Sequence, residues 1–88
     1  MNKIEIYTSD TCPYCSKAKK LLKTLGLDYT EFDVSNSFDE MVDNLEKRFG
    51  INVMTIPQII INDKHIGGFD NLDNLYRTGE LTKYLTNE

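Results

Sequence analysis

The chain has 88 residues, of which 40% are hydrophobic and 27% are charged, and its formal net charge is -4. This composition is that of one small globular domain spanning residues 1–88, and it excludes a disordered or membrane-spanning chain. Residues 1–26 carry five lysines and two acidic side chains, whereas residues 27–88 carry five basic and twelve acidic ones. The acidic excess argues against a nucleic-acid partner.

The strand pattern begins almost at Met1, with no signal peptide before it and no apolar run long enough to cross a bilayer. We therefore expect a cytoplasmic protein with no membrane partner. The chain has only two cysteines. In a reducing compartment, two closely spaced cysteines are usually catalytic or metal-binding.

Apolar periodicity predicts the first half of the fold. Alternation over 3–7 and 29–34 predicts two strands, and a stripe of apolar residues three and four apart predicts a helix over 13–25. Gly26 is well placed to end that helix. Because the helix connects the two strands, we expect them to pair in parallel.

In the second half, Ser37 and Glu40 have the spacing of a capping box for a helix whose apolar face ends at Phe49. Gly50 then marks the end of that helix. The connection that follows leads into a buried strand over 58–61.

Asn62-Asp63 predicts a turn into a fourth strand over 64–66, which contains His65 as an ordinary strand residue. Asp70 is the predicted N-cap of a last helix. Thr78-Gly79 interrupts that helix, and apolar residues continue beyond it. The predicted order is βαβ, α, ββ, α.

Cys12-Pro13-Tyr14-Cys15 lies between the first strand and the first helix. The N-terminus of a helix favours negative charge, so a thiolate is stabilised there, and the thiolate is the nucleophile of thiol–disulfide exchange. Cys12 lies nearest the unpaired N–H groups and is the predicted attacking residue. Cys15, one turn further on, is the predicted resolving residue. We interpret the motif as a redox site.

Three other interpretations of the cysteines stay open at this stage. A structural disulfide would close so short a loop that loop entropy contributes roughly 2 kcal/mol, against roughly 3 kcal/mol for fifteen residues. A metal site usually needs four ligands, and the chain offers two cysteines and one distant histidine. The third interpretation is a pair of inert thiols.

Two further stretches carry potential binding groups. In Thr55-Ile56-Pro57, a cis bond before the proline would leave the Ile56 backbone free to pair with an extended ligand. Gly67-Gly68 permits close approach of a ligand to the backbone, and Asp70 adds a carboxylate at a helix start. The alternative for this second stretch is a tight turn followed by a helix cap.

Taken together, Cys12-Pro13-Tyr14-Cys15, Thr55-Ile56-Pro57-Gln58 and Gly67-Gly68-Phe69-Asp70 resemble the signature segments of the dithiol glutaredoxins. The resemblance covers essentially the whole chain. It implies an α/β thioredoxin-like fold with a four-stranded mixed sheet in the order 2-1-3-4, flanked by helices. It also implies a cis proline at Pro57, packed near the two cysteines.

The resemblance further implies a glutathione-dependent oxidoreductase that reduces protein disulfides and glutathione mixed disulfides. Cys12 would be its nucleophile and Cys15 its resolving thiol, with glutathione as co-substrate and no metal. The implied partners are disulfide-containing proteins, with ribonucleotide reductase as a family example, and the implied state is a monomer. The implied glutathione-binding residues are Tyr14, Thr55, Ile56, Pro57, Gly68, Phe69, Asp70 and Asn71.

The sequence departs from the family pattern at the positions that would meet the glutathione carboxylates. Ser9 stands where many members have a lysine that helps to hold the glycyl carboxylate. Ile51-Asn52-Val53-Met54 stands just before Thr55, where many members have an arginine or a glutamine, and Arg48 and Lys17 are the candidate substitutes for that residue. Asn71 stands where a second aspartate is common. The missing lysine leaves open one alternative function, a glutaredoxin-like protein reduced by thioredoxin reductase. A second alternative is a non-enzymatic carrier of a glutathione-ligated [2Fe–2S] cluster, which Pro13 disfavours because cluster-binding relatives more often lack that proline.

Overall fold

A computed structural model describes residues 2–85, and the architecture is built around a central sheet. The elements follow in the order β1 (Ile4–Thr8), α1 (Pro13–Thr24), β2 (Thr30–Asp33), α2 (Phe38–Phe49), β3 (Gln58–Ile61), β4 (Lys64–Gly67), α3 (Phe69–Thr78) and a short 3-10 helix (Glu80–Tyr84). The predicted order of elements is therefore confirmed.

The sheet has four strands in the order β2-β1-β3-β4. β1 runs parallel to β2 and antiparallel to β3, and β3 runs antiparallel to β4. Both the mixed sheet and its strand order agree with the prediction. β1 extends one residue beyond its predicted end because Thr8 pairs with Asp33 of β2.

Alternation along β1 and β3 divides the core between the two faces of the sheet. On one face, the buried residues come from the sheet, α1, α3 and the 3-10 helix: Ile4, Ile6, Ala18, Leu22, Ile59, Ile61, Ile66, Leu72 and Leu81. On the other face, they come from the sheet, α2 and the segments next to it: Val34, Met41, Leu45, Val53 and Ile60.

β2 forms one edge of the sheet, and all four of its residues are exposed. Phe32 still stacks on Tyr7 of β1, with ring centroids 5.2 Å apart. On the opposite face, the Glu31 carboxylate accepts hydrogen bonds from the Thr8 hydroxyl at 2.6 Å and from Lys19 Nζ at 3.0 Å. Side-chain bonds therefore fasten this edge strand to β1 and to α1.

The capping box predicted at Ser37 is wrong, although its helix begins and ends as expected. The Ser37 side chain makes no capping hydrogen bond, and the first turn of α2 instead carries Asp39 and Glu40. These carboxylates complement the positive end of the helix dipole, although the N-cap residue Ser37 makes no side-chain hydrogen bond to the helix. Gly50 ends the helix in the left-handed region with φ 66°, as the sequence predicts.

The N-cap predicted for α3 is also wrong. The cap is Gly68, which is extended, and Asp70 lies within the first turn of the helix. Gly67 precedes it at φ 114°, a backbone region that residues with a side chain rarely adopt, and a Cβ there would collide with the Asn71 side chain. The turn between β4 and α3 therefore requires a glycine at position 67.

α3 ends at Gly79, which lies in the left-handed region, and the chain then continues as the 3-10 helix. The predicted interruption at Thr78-Gly79 is confirmed. Leu81 returns to the core at 4% exposure. Across residues 2–85, every helix is too short or too polar to cross a membrane.

Candidate active site

The two cysteines lie at the N-terminus of α1 and are joined by a disulfide bond. Cys12 is the N-cap residue, and its Sγ accepts a hydrogen bond from the Cys15 backbone N–H at 3.1 Å. Cys12 is partly exposed, whereas Cys15 is only 1% exposed. An incoming thiol or disulfide therefore reaches Cys12 first, while Cys15 is reached through it.

Thr55-Ile56-Pro57, which directly precedes β3, lies next to this cysteine pair. The peptide bond between Ile56 and Pro57 is cis, as the resemblance implies. The Ile56 carbonyl oxygen lies 3.9 Å from Cys12 Sγ, although the two residues are 44 positions apart in the chain. Pro57 is buried, and β3 begins directly after it, so the segment is held by the sheet.

A groove with a volume of about 360 Å³ opens beside Cys12. Its lining brings together the non-cysteine residues that the sequence singled out: Tyr14, Thr55, Ile56, Pro57, Gly68, Phe69, Asp70 and Asn71. The structure thus places three segments that are distant in sequence around one cavity. Their role in binding a ligand stays a prediction.

Aromatic rings form one side of the groove. Tyr14 is 55% exposed, and its ring centroid lies 6.3 Å from that of Phe69. Lys17 Nζ sits over the Tyr14 ring at 5.0 Å from its centroid. The lining residues therefore combine flat apolar surfaces with a positive charge near the outer face of Tyr14.

The start of α3, which supplies Phe69, also contributes polar groups to the groove. Gly68 supplies no side-chain cap, so backbone N–H groups of the first turn remain available to a negatively charged group. Asp70 is exposed and adds a carboxylate at the same place. The Asn71 side-chain amide donates to the Ile66 carbonyl at 3.3 Å, which fixes its orientation against β4.

The sequence model of the family described as Glutaredoxin matches residues 4–66 of the chain. The chain belongs to the glutaredoxin family. Glutaredoxin 1 of Rickettsia prowazekii is 42% identical over 88 residues, which cover 100% of this chain and 92% of that relative. Glutaredoxin 3 of Escherichia coli K12 is 41% identical over 88 residues, covering 97% of this chain and 99% of that one.

Solved glutaredoxin structures share the fold. A buckwheat glutaredoxin in complex with glutathione superposes with a TM-score of 0.79 at 31% identity, over 96% of this chain and 76% of that one. A dithiolic glutaredoxin of Trypanosoma brucei brucei gives a TM-score of 0.79 at 31% identity, over 97% of this chain and 88% of that one. The fold is therefore thioredoxin-like, and the Cys12–Cys15 pair makes the protein a thiol–disulfide oxidoreductase.

Of the two candidate substitutes for the arginine or glutamine that many members have before Thr55, only Lys17 is near the groove. Arg48 instead forms a bidentate ion pair with the buried Glu5 carboxylate, with nitrogen–oxygen distances of 3.2 and 3.4 Å. Its guanidinium also donates a hydrogen bond to the Asp63 carboxylate at 3.2 Å. The hydrogen bonds that Arg48 donates to Glu5 raise the pKa of Arg48 above its ordinary value. Arg48 is therefore committed to the α2 face of the sheet.

Further polar contacts stabilise the loop between β1 and α1, which contains Cys12. The Asp10 backbone N–H donates to the Ser35 hydroxyl at 3.2 Å, just beyond the Thr8–Glu31 hydrogen bond. The Thr8 hydroxyl and then Lys19 lower the pKa of Glu31, so this carboxylate is ionised at neutral pH. Sequence patterns gave no sign of this network because its members are far apart in the chain.

His65 is a strand residue, as predicted, but it is not isolated. Its Nε2 lies 2.7 Å from Gln58 Oε1, and its ring lies 5.9 Å from that of Phe49. Burial lowers the pKa of His65 below its ordinary value of 6.5, so the ring is neutral at pH 7. The Arg48 guanidinium on the outer face of Phe49 adds positive charge nearby.

This pKa shift predicts that acid destabilises the protein through His65. Below pH 6.5, the ordinary value, the unfolded chain binds a proton that the folded chain resists, so stability is lost as the pH falls toward the lower folded pKa. We expect the free energy of unfolding, measured by urea titration from about pH 7 to about pH 5, to fall more steeply in the parent than in His65→Gln. Identical slopes would contradict this assignment.

Proposed function

We propose that the protein is a glutathione-dependent oxidoreductase that reduces glutathione mixed disulfides and protein disulfides. The observation that carries the proposal is the single groove in which three separate segments meet beside Cys12. Its volume of about 360 Å³ is in the range of small-molecule sites. The buckwheat relative, which has the same fold, was solved with glutathione.

The groove offers complementary groups along the length of a γ-linked tripeptide. The Ile56 backbone would pair with the cysteinyl unit and bring its sulfur toward Cys12. The first turn of α3, with Phe69, Asp70 and Asn71, would hold the carboxylate and ammonium groups of the γ-glutamyl end. Tyr14 would border the bound peptide, and Lys17 would attract its glycyl carboxylate.

In the monothiol route, the Cys12 thiolate attacks the glutathione sulfur of a mixed disulfide. The substrate leaves as a thiolate and takes up a proton, and a Cys12–glutathione disulfide remains. The thiolate of a second glutathione then attacks the glutathionyl sulfur, which releases glutathione disulfide and regenerates the Cys12 thiolate. Two electrons pass from glutathione to the substrate in each cycle.

In the dithiol route, the Cys12 thiolate attacks a protein disulfide and forms a mixed disulfide with it. The Cys15 thiolate next attacks the Cys12 sulfur, which releases the reduced protein and leaves the Cys12–Cys15 disulfide seen in the structure. Two glutathione molecules then reduce this disulfide and depart as glutathione disulfide. The proposed setting is a cytoplasmic monomer acting on disulfide proteins, with ribonucleotide reductase as one family substrate to test.

A coupled assay tests the electron donor. The protein is mixed with glutathione, glutathione reductase, NADPH and a glutathione mixed disulfide, and oxidation of NADPH is followed. Glutathione-dependent turnover supports the proposal. A protein that is inactive in this assay but is reduced by thioredoxin reductase has another electron donor, and brown colour with visible absorbance after anaerobic purification would indicate the cluster carrier instead.

Asp70→Asn should weaken glutathione binding without disturbing the sulfur chemistry. Removing an exposed charge from the γ-glutamyl end should raise KM for the mixed disulfide about two- to fivefold and leave kcat close to that of the parent. Asp73→Asn is the matched control because Asp73 pairs with Arg77 on the same helix, at 3.0 Å. A KM that rises equally in both variants would contradict the assigned position of the γ-glutamyl end.

A further inference from the structure

Gln58 is a buried polar side chain next to the groove that the chemistry described above does not use. It is the first residue of β3, directly after Pro57, and is 4% exposed. Its Nε2 donates to the Thr55 carbonyl at 2.8 Å and lies 3.4 Å from the Thr55 hydroxyl. Gln58 is therefore hydrogen-bonded to Thr55, the first residue of the Thr55-Ile56-Pro57 segment that lines the groove.

The direction of this hydrogen-bond chain is fixed by its members. The Thr55 carbonyl can only accept a hydrogen bond, so the NH₂ group of Gln58 must face it. This leaves Gln58 Oε1 facing His65 Nε2 at 2.7 Å, and an oxygen acceptor requires that nitrogen to carry the proton. The chain therefore runs as donor to acceptor from His65 through Gln58 to Thr55.

The outer end of the chain is held by packing. The His65 ring lies against Phe49 of α2 at 5.9 Å, and the Arg48 guanidinium covers Phe49 at 4.9 Å. The inner end of the chain of hydrogen bonds is Thr55. The carbonyl oxygen of the next residue, Ile56, lies 3.9 Å from Cys12 Sγ. A continuous set of contacts thus joins α2 to the backbone beside the nucleophile.

We propose that Gln58 is a positioning residue, oriented by His65, that holds the Thr55–Ile56 backbone in the conformation that binds glutathione. This inference rests on the proposed function, since it assigns Gln58 to the same groove. Gln58 touches neither cysteine sulfur, so it acts through the backbone of Thr55 and Ile56. It should influence binding of glutathione substrates and leave the intrinsic reactivity of the disulfide unchanged.

Gln58→Met keeps the length of the side chain but removes its donor and its acceptor. Of the two hydrogen bonds that are lost, the one to the Thr55 carbonyl holds the groove backbone, and its net contribution of about 1 kcal/mol should raise KM for the glutathione mixed disulfide about three- to tenfold, with kcat changed by less than about twofold. Reduction of the Cys12–Cys15 disulfide by dithiothreitol, followed by alkylation and mass spectrometry, should proceed at the parent rate because dithiothreitol does not need the groove.

His65→Phe provides a second test that leaves Gln58 in place. Without the donor at position 65, the Gln58 carboxamide is held at one end only, so KM should rise in the same direction but less. His65→Gln restores a donor and should return KM toward the parent value. These variants keep the test usable if Gln58→Met folds poorly.

Ile60→Val is the matched control, since Ile60 lies on the same strand and is fully buried but contacts the α2 core. It should lower stability by about 0.5–1.5 kcal/mol without changing KM. A Gln58→Met variant with the parent KM would overturn the inference, as would equal changes in KM in Gln58→Met and Ile60→Val. If the parent protein itself showed no glutathione-dependent turnover, the proposed function would be overturned. This failure is distinguishable from failure of the Gln58 inference, because it is measured on the parent alone.

Discussion

Cys12→Ser should lose turnover of a glutathione mixed disulfide by a factor of at least about 100, because a serine hydroxyl is not ionised near neutral pH and does not replace a thiolate. Cys15→Ser should retain turnover of the same substrate. The difference follows from the site, in which Cys12 is partly exposed next to the groove-lining Ile56, whereas Cys15 is only 1% exposed. Steady-state rates in the glutathione-coupled assay measure both effects.

With a protein disulfide as substrate, Cys15→Ser should accumulate a mixed disulfide with Cys12, since no second thiol can resolve it. Mass spectrometry under non-reducing conditions detects this species. Ser16→Ala is the control because Ser16 is exposed on the same turn, and it should retain the parent rate. Loss of mixed-disulfide turnover in Cys15→Ser, or its survival in Cys12→Ser, would reverse the assigned roles.

Leu45→Ala should strongly lower the stability of the protein. Leu45 is 0% exposed at the centre of the core between α2 and the sheet, where it packs with Met41 and Ile60. Truncating a fully buried leucine costs about 2–5 kcal/mol through lost burial and the cavity that remains. Urea unfolding should show a lower midpoint with an unchanged slope.

The matched control for this substitution is Lys47→Ala on the same helix. The Lys47 side chain is 74% exposed and pairs with Asp43 at 3.0 Å. Such an exposed pair contributes less than about 0.5 kcal/mol. If Leu45→Ala unfolded at the same urea concentration as Lys47→Ala, the core on the α2 face would not be packed as described.

Most elements of the fold could be predicted from their apolar patterns, because the helices bury one face and the two central strands are buried on both. The alternation of β1 and the apolar run of β3 match their buried positions in the sheet. The capping interactions of α2 and α3 were less predictable. Ser37 and Asp70 are both good capping residues, yet acidic side chains serve the first helix end, and an extended Gly68 caps the second. Local preference was overridden by the path of the chain.

Three segments of the candidate site could be singled out because their residue types are unusual in their positions: a cysteine pair at a helix start, a proline before a strand and adjacent glycines in a turn. Tyr14, Phe69 and Asn71 were assigned to the site only through the resemblance to the dithiol glutaredoxins. Partnerships between distant side chains could not be predicted. Nothing local indicates that Arg48 turns toward Glu5, or that Gln58 joins Thr55 to His65. The signal available for Gln58 was a polar residue at the head of an otherwise apolar strand.

The exposed edge strand β2 bears on how copies of the chain behave at high concentration. An open strand edge is a template for intermolecular pairing and aggregation. Within Thr30–Asp33, Glu31 and Asp33 place two carboxylates on this edge. Because Lys19 offsets the charge of Glu31, the charge of Asp33 in particular is expected to disfavour alignment of one copy's edge with another's.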